Sequence, residues 1–212
     1  MRSQDRVSAV ERLRSLPPVF RAGDLSLRFG WSSDEAAQYL LRWKRRDFVK
    51  ATGPRSGVYF NLLRESSSPD TRREEVIATL LPSALVAGGT ALYEAGWTTQ
   101  IPSRLETVAL RRRTYPKLNG VAVYPRGAGW YRLAHDWLQF PEDKQHLPRI
   151  DAAFALADAL KFQDGWVPDP DDVEFATAQD QLRFLKACEV LKVSLGKEWR
   201  SAAKFELAQT AV

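Results

Sequence analysis

Apolar residues recur every three to four positions in three segments near the start of the chain. This spacing predicts amphipathic helices over Arg2–Leu16, over about Ala22–Phe29, and from Ser33 onward. Pro17-Pro18 ends the first helix, and Gly30 suits the end of the second because glycine readily adopts a left-handed backbone. The apolar residues of the first two helices are expected in a core: Val7, Val10, Leu13, Leu16, Leu25, Leu27 and Phe29.

The third helix is predicted to have two chemically different sides. Ser33 is a favoured N-cap residue. Helical spacing sorts the following residues into an apolar side and a polar side: Ala37, Leu40, Leu41 and Lys44 on the first, Glu35, Gln38, Arg42 and Arg45 on the second. Side chains of the second kind hydrogen-bond base edges and phosphates. Trp43 falls between the two sides, and we expect it to pack inside the protein rather than to stack on a base.

A short hairpin with a basic tip is predicted directly after this helix. Residues 47–52 have strand composition, residues 53–57 (GPRSG) form a turn, and Val58-Tyr59-Phe60 returns as a second strand. A helix, a short helix, a tight turn, a helix and a hairpin follow one another in a winged helix-turn-helix. The sequence therefore predicts a DNA-binding domain of that kind at residues 1–64.

The polar stretch at residues 65–71 (ESSSPDT) is predicted to be a linker to a second domain at residues 72–212. The strands predicted there are Leu105–Leu110 and Gly120–Tyr124, joined by a basic hairpin turn. Helices are predicted over Arg72–Leu81, Ile150–Phe162 and Phe175–Ser194. The expected fold class is α+β: a winged helix-turn-helix followed by a mixed domain with a small sheet and several helices.

Composition favours an intracellular protein. The single cysteine, Cys188, excludes an intramolecular disulfide and fits a reducing compartment. No segment approaches the roughly 20 consecutive apolar residues that span a bilayer. The N-terminal residues lack the apolar core of a signal peptide. We therefore expect a cytoplasmic location and no membrane partner.

Charge is distributed in alternating blocks. Residues 1–64 carry 13 Lys and Arg against 6 Asp and Glu, a net charge of +7. Residues 102–132 carry 7 against 1, a net charge of +6, and the remaining two blocks are acidic. A polyanion is the natural partner of basic blocks, although an ordinary solvated surface has the same composition.

Eight residues of the first basic block are predicted to contact DNA. Ser33, Gln38 and Arg42 are expected to face the groove, where Arg pairs with guanine and Gln with adenine. The predicted phosphate contacts are Lys44, Arg45, Arg46 and Lys50. Arg55 is expected at the wing tip, in or over the minor groove.

The second basic block contains a candidate patch at the predicted hairpin turn. Its members are Arg104, Arg111, Arg112, Arg113 and Lys117. Contact with phosphate, contact with an RNA or protein surface, and plain solvation all remain open for this patch.

The turn Gly88-Gly89-Thr90 opens a short predicted helix and has a rival interpretation. Such a turn can offer backbone N–H groups to a phosphate, and nucleotidyltransferases use one. Those enzymes also need two carboxylates on the next strand to hold Mg²⁺. Here that strand offers Glu106 alone. We therefore expect a packed turn, no enzyme activity and no cofactor.

The remaining candidate residues are two aspartates, the two histidines and the cysteine. Asp151 and Asp158 would share one side of a helix, as paired carboxylates or as capping and solvated residues. The histidines, His135 and His146, do not have metal-ligand spacing with Cys188, and no metal site is expected. Cys188, inside an apolar segment, is expected to be inert core.

Residues 86–110 (VAGGTALYEAGWTTQIPSRLETVAL) resemble the AbiEi-type antitoxin family of type IV toxin–antitoxin (abortive infection) systems. The resemblance is carried by four short motifs: Ala91-Leu92, Gly96-Trp97-Thr98, Gln100-Ile101-Pro102 and Thr107-Val108. Residues 147–160 (LPRIDAAFALADAL) look like the family's apolar helix, which ends in Leu-x-Asp-x-Leu. The Ser-Pro-Glu-Arg start typical of that helix is absent.

The resemblance implies a two-domain antitoxin and autorepressor. Its N-terminal domain would bind inverted repeats in its own promoter, as double-stranded DNA. Its C-terminal domain would oppose a nucleotidyltransferase-like toxin, without necessarily forming a stable complex. Two alternatives remain open: a catalytic or pseudo-catalytic nucleotide- or phosphate-binding protein built around Gly88–Leu92, and a winged-helix regulator with a ligand-binding second domain.

Overall fold

A computed structural model describes residues 8–64, 72–112, 114–115, 117–143 and 146–202. The chain divides into two compact units. The first comprises Met1–Pro82 with Pro116–Asn119, and the second comprises Ser83–Tyr115 with Gly120–Val212. Each unit combines helices with a small sheet, so the α+β fold class is confirmed.

The first unit is built on a three-stranded antiparallel sheet in the order β1-β3-β2. Its elements are α1 (Ala9–Ser15), β1 (Val19–Arg21), α2 (Ala22–Phe29), α3 (Ser33–Arg45), β2 (Val49–Ala51), β3 (Val58–Asn61) and α4 (Arg73–Leu80). The bounds of α2 agree with the prediction, and Gly30 ends it with a φ of 68°. Strand β1 was not predicted, because three residues after two prolines show no alternation long enough to recognise.

Each of the first three helices begins with the same local device. An acidic side chain of the first turn accepts a hydrogen bond from the backbone N–H of the residue before the helix: Glu11 from Ser8, Asp24 from Arg21 and Glu35 from Ser32. The N-cap of α3 is Ser32 rather than the predicted Ser33, because Ser32 Oγ accepts the N–H of Glu35 at 3.2 Å. This arrangement fixes where each helix starts.

The buried side of α3 differs from the predicted one. Ala36, Leu40 and Trp43 face the core, and Trp43 is 2% exposed. Trp43 packs beside Trp31 and Tyr39, whose rings stack at 4.0 Å. Because this large ring anchors the helix, the core side follows positions 36, 40 and 43. The predicted apolar side was wrong: Ala37, Leu41 and Lys44 are exposed.

The core of the first unit otherwise follows the apolar pattern of its helices. Leu13, Leu16 and Leu25 are buried, and Phe29 packs against them. The prediction for Leu27 was wrong, since this side chain is 88% exposed. Val7 lies outside the described residues.

The boundary between the units lies after Pro82 instead of at residues 65–71. Helix α4 was assigned to the second domain, but Val76 on α4 packs with Val19, Val58 and Phe60 of the first sheet. Burying this apolar side on the sheet places the helix in the first unit. The predicted linker, residues 65–71, lies outside the described residues.

The second unit has a five-stranded mixed sheet in the order β6-β5-β4-β8-β7. Its elements are β4 (Leu85–Val86), α5 (Gly88–Glu94), β5 (Leu105–Leu110), β6 (Val121–Arg126), α6 (Ala128–Ala134), β7 (Leu138–Gln139), β8 (Arg149–Ile150), α7 (Ala152–Phe162), α8 (Ala178–Leu191) and α9 (Lys197–Ala202). Two 3₁₀ turns, His135–Trp137 and Pro170–Asp172, complete it. Helix α7 is buried along most of its length, as its alanine-rich apolar sequence requires.

Strands β5 and β6 run parallel, which corrects the predicted hairpin. Leu105 pairs with Val121 and Leu110 with Arg126, so both strands run in the same direction. Parallel neighbours need a connection that returns to the start of the first strand. Residues 111–120 are therefore a crossover connection and not a hairpin turn.

Candidate nucleic-acid interface

All eight predicted DNA contacts lie on α3 or on the segment from its end through the β2–β3 hairpin. Each of them is exposed in the structure: Ser33, Gln38, Arg42, Lys44, Arg45, Arg46, Lys50 and Arg55. Helix α3 supplies the first five, Arg46 follows its last turn, and Lys50 lies on β2. We call this set the cationic surface of the first unit.

The cations of this surface have no ion-pair partner within the described residues. Lys44, Arg45, Arg46, Lys50 and Arg55 fall in no salt bridge, and Arg42 lies 5.6 Å from the centre of the Tyr39 ring. Three acids of the same unit are engaged elsewhere, because each is hydrogen-bonded at a helix start. The hydrogen bond from the backbone of Ser32, for example, lowers the pKa of Glu35. Within the described residues, no ion pair therefore engages the cations of this surface.

The β2–β3 turn presents Arg55 through a left-handed backbone. Arg55 has a φ of 55°, and Gly57 has a φ of 68°. The turn is closed by hydrogen bonds from Ser56 N to Gly53 O at 3.3 Å and from Thr52 N to Val58 O at 3.1 Å. Residues other than glycine seldom adopt this conformation. The two hydrogen bonds close the turn with Arg55 at its tip.

An apolar strip runs beside the cations on α3. Leu41 is 50% exposed, and Ala37 one turn earlier is also exposed. Both residues line a shallow pocket of about 380 Å³ between α2 and α3, together with Ser33 and Lys44. The exposed side of α3 therefore offers methyl groups next to hydrogen-bond donors.

The second basic patch does not form as predicted. Arg104 immediately precedes β5 and Arg111 immediately follows it, so the length of the strand, about 20 Å, separates their backbones. Arg112 follows Arg111 at the same end of β5, and Lys117 lies in the connection that leads to β6. Arg113 lies outside the described residues. The patch was predicted from a hairpin that the parallel pairing of β5 and β6 excludes.

The Gly88-Gly89-Thr90 turn is occupied by a carboxylate of the protein itself. Gly89 N donates to Glu106 Oε2 at 2.5 Å, and Tyr124 Oη donates to Glu106 Oε1 at 2.9 Å. Glu106 N in turn donates to Thr90 Oγ1 at 2.9 Å. Gly88 has a φ of 56°, and a side chain there would collide with Glu106. The predicted packed turn thus encloses a buried acid.

Sequence analysis missed a buried ion-pair cluster around Arg126. This side chain is 2% exposed and bonds both oxygens of Asp158, at 3.0 and 2.6 Å. It also pairs with Asp164 at 2.6 Å and stacks 3.9 Å from the Phe162 ring centre. Trp130 Nε1 donates to Asp158 at 2.6 Å. The partners lie 32 and 38 residues further along the chain, so no local pattern reveals them.

Burial and hydrogen bonding shift the pKa values of two residues in this cluster. Burial would lower the pKa of Arg126, but the hydrogen bonds that Arg126 donates to Asp164 and Asp158 outweigh burial and raise that pKa. Burial raises the pKa of Asp158, against the opposing hydrogen bond from Arg126. Arg126 is therefore charged and held in place by two carboxylates.

Asp151 and Asp158 do not pair with one another. Asp151 caps α7 by accepting the N–H of Ala153 at 3.0 Å, and it forms an ion pair with Arg183 at 2.6 Å. Cys188 is buried, and burial raises its pKa to about 12, as expected of an inert core thiol.

No protein-family model and no curated protein matches this chain. Among the helices in the described part of the chain, none is long and apolar enough to cross a membrane.

Proposed function

We propose that the first unit binds duplex DNA through its cationic surface. The observation that carries the proposal is that α3 and the hairpin after it expose eight polar and basic side chains, whose cations lack ion-pair partners among the described residues. Helix, strand, two helices and a two-stranded hairpin is the element order typical of a winged helix-turn-helix. An uncompensated row of cations is what phosphate binding requires.

We further propose that the protein is an antitoxin and autorepressor of a type IV operon, opposing a nucleotidyltransferase-like toxin in the cytoplasm. Support for this step is the resemblance of residues 86–110 and 147–160 to AbiEi-type antitoxins. DNA binding by the first unit fits the repressor half of that function. The absence of a second carboxylate beside Glu106 argues against nucleotidyl transfer by this chain itself.

The test of DNA binding uses the full-length protein and the DNA upstream of its own gene. The triple variant Gln38→Ala, Arg42→Ala, Arg45→Ala is compared with Arg132→Ala, an exposed arginine of the second unit. Fluorescence anisotropy with labelled duplex should show about a hundredfold weaker binding for the triple variant, from roughly 1–3 kcal/mol for each of two base contacts and the loss of one phosphate contact. Unchanged affinity of the triple variant would remove α3 from the interface.

The antitoxin step is tested separately by co-expression with the product of the adjacent gene. The triple variant should still protect cells from that product while losing repression of a promoter reporter. Failure of the unaltered protein to protect would reject the antitoxin proposal and leave DNA binding standing.

A further inference from the structure

A second pocket lies in the second unit, beside the buried acid Glu106. Its volume is about 380 Å³, and it is lined by Ile101, Arg104, Glu106, Tyr124 and Trp166 among others. Glu106 is 8% exposed, whereas Ile101 and Arg104 are exposed. The pocket therefore joins a buried carboxylate to an exposed cation across apolar and aromatic side chains. Its size is within the range of small-ligand sites.

The aromatic side of this pocket is held firmly. A side chain at Gly89 would approach the Trp166 ring to 3.0 Å, and one at Gly165 would approach Tyr124 Oη to 2.5 Å. A side chain at position 165 would therefore require Tyr124 to move, and one at position 89 would crowd the Trp166 ring. Gln100, another lining residue, is tied by its Nε2 to Asp172 at 2.6 Å. The indole of Trp166 is partly buried against the core and lines the pocket, where it offers an aromatic surface on which a planar ring can stack.

Glu106 can accept further hydrogen bonds. A carboxylate has about four acceptor positions, and Gly89 N and Tyr124 Oη occupy two of them. Burial and the hydrogen bond to Glu106 raise the pKa of Tyr124, so this phenol stays a donor. A ligand that meets Glu106 must therefore bring N–H donors and not an anion.

Arg104 favours an anionic group on the ligand, in contrast to Glu106. Its guanidinium belongs to no ion pair within the described residues, and it is exposed. A free guanidinium binds phosphate with good geometry. A ligand that fits the whole pocket has a flat ring, adjacent N–H donors on one edge and a phosphate beyond the other.

We infer that this pocket binds a guanine nucleotide, with the base on Trp166 and Glu106 and the phosphate on Arg104. Guanine presents two adjacent donors, N1–H and the N2 amino group, to one carboxylate. Adenine presents a single amino group next to an acceptor nitrogen, which a carboxylate repels. The same chemistry belongs to a free nucleotide and to a 5′-terminal guanosine monophosphate of RNA. The inference does not depend on DNA binding by the first unit.

The test titrates the full-length protein with GMP, IMP, AMP and guanosine by isothermal titration calorimetry. GMP should bind with a Kd below about 1 mM, and IMP, which lacks the N2 amino group, should bind about tenfold more weakly or worse. AMP should bind no better than IMP. A short RNA with 5′-terminal guanosine monophosphate, compared with GMP, identifies which source binds more tightly. No saturation by GMP or by this RNA, or equal affinity for GMP and AMP, would overturn the inference.

Three variants assign the contacts. Glu106→Gln should remove the preference of GMP over IMP, because its amide donates where guanine also donates. Arg104→Ala should weaken GMP about tenfold and leave guanosine unchanged. Arg132→Ala, outside the pocket, should alter neither. If Glu106→Gln lowers stability, Arg104→Ala still tests the inference, because it should weaken GMP and not guanosine. Equal weakening of both ligands would contradict a contact between Arg104 and the phosphate.

Discussion

The arginines of the two units lie in opposite environments. In the first unit Arg42, Arg45 and Arg55 are exposed without ion-pair partners among the described residues. In the second unit Arg126 is buried, with both oxygens of Asp158 and the carboxylate of Asp164 around it. Charge counts treat these residues alike. One basic block therefore exposes its arginines, while part of the other is internal structure.

The largest effect is expected from Arg126→Met. Removing the cation leaves two carboxylates at the site, one of them buried, and should destabilise the second unit by about 3–5 kcal/mol. Cys188 is the only cysteine of the chain and is buried in this unit. Its labelling by a thiol reagent across a urea series therefore reports unfolding of this unit alone. Arg132→Met, at an exposed arginine, should cost less than about 0.5 kcal/mol. Equal urea midpoints for Arg126→Met and Arg132→Met would mean that the buried Arg126 contributes no more to stability than an exposed arginine.

Arg42→Ala should weaken DNA binding without lowering stability, the reverse of the effect expected from Arg126→Met. DNA binding should weaken by about 1–3 kcal/mol, since a bidentate contact to guanine is lost, while the unfolding midpoint stays unchanged. Arg42→Lys is the matched control, because lysine keeps the charge but cannot form the bidentate contact. Competition between operator and unrelated duplex measures the loss. If lysine restores full specificity, Arg42 contacts phosphate and not a base.

Leu41→Ala tests whether the exposed apolar strip on α3 also reads DNA. In a major groove the apolar partner of a leucine is the thymine C5 methyl group. Replacing single thymines of the bound site by deoxyuridine should weaken binding by about 1 kcal/mol at one or two positions. In Leu41→Ala the same replacements should have no further effect. Undiminished sensitivity in the variant would exclude this contact.

Arg55→Ala should have the smallest effect on affinity and is best detected through salt. Losing one phosphate contact should flatten the slope of log K against log salt by about 0.9. The measurement is anisotropy between roughly 50 and 200 mM salt. A slope equal to that of the unaltered protein would place the turn away from the backbone.

Local patterns predicted the features that depend on neighbouring residues. The limits of α2, the glycine that ends it and the β2–β3 hairpin follow from a few adjacent side chains, and the structure agrees with them. The buried side of α3 was misplaced, because Trp43 was set between two sides when it anchors one. Exposure of the eight predicted contacts followed from their polarity.

Contacts between distant segments were not predictable in this way. A basic stretch between two apolar strands looks like a hairpin, and nothing local distinguishes parallel from antiparallel pairing. The pairing of Arg126 with Asp158, and of Glu106 with Gly89, also joins separate elements. Strand direction and buried charge depend on the whole unit.

The crossover between β5 and β6 has a practical consequence for dissecting this protein. Within it Lys117–Asn119 belong to the first unit, where Leu118 packs against Val19, Val58, Phe60 and Val76. The two units are therefore interleaved along the gene, and no single cut separates them whole. A truncation after Pro82 removes Leu118 from the hydrophobic core of the N-terminal fragment. Weak DNA binding by that fragment would reflect its missing segment and would not implicate the other unit.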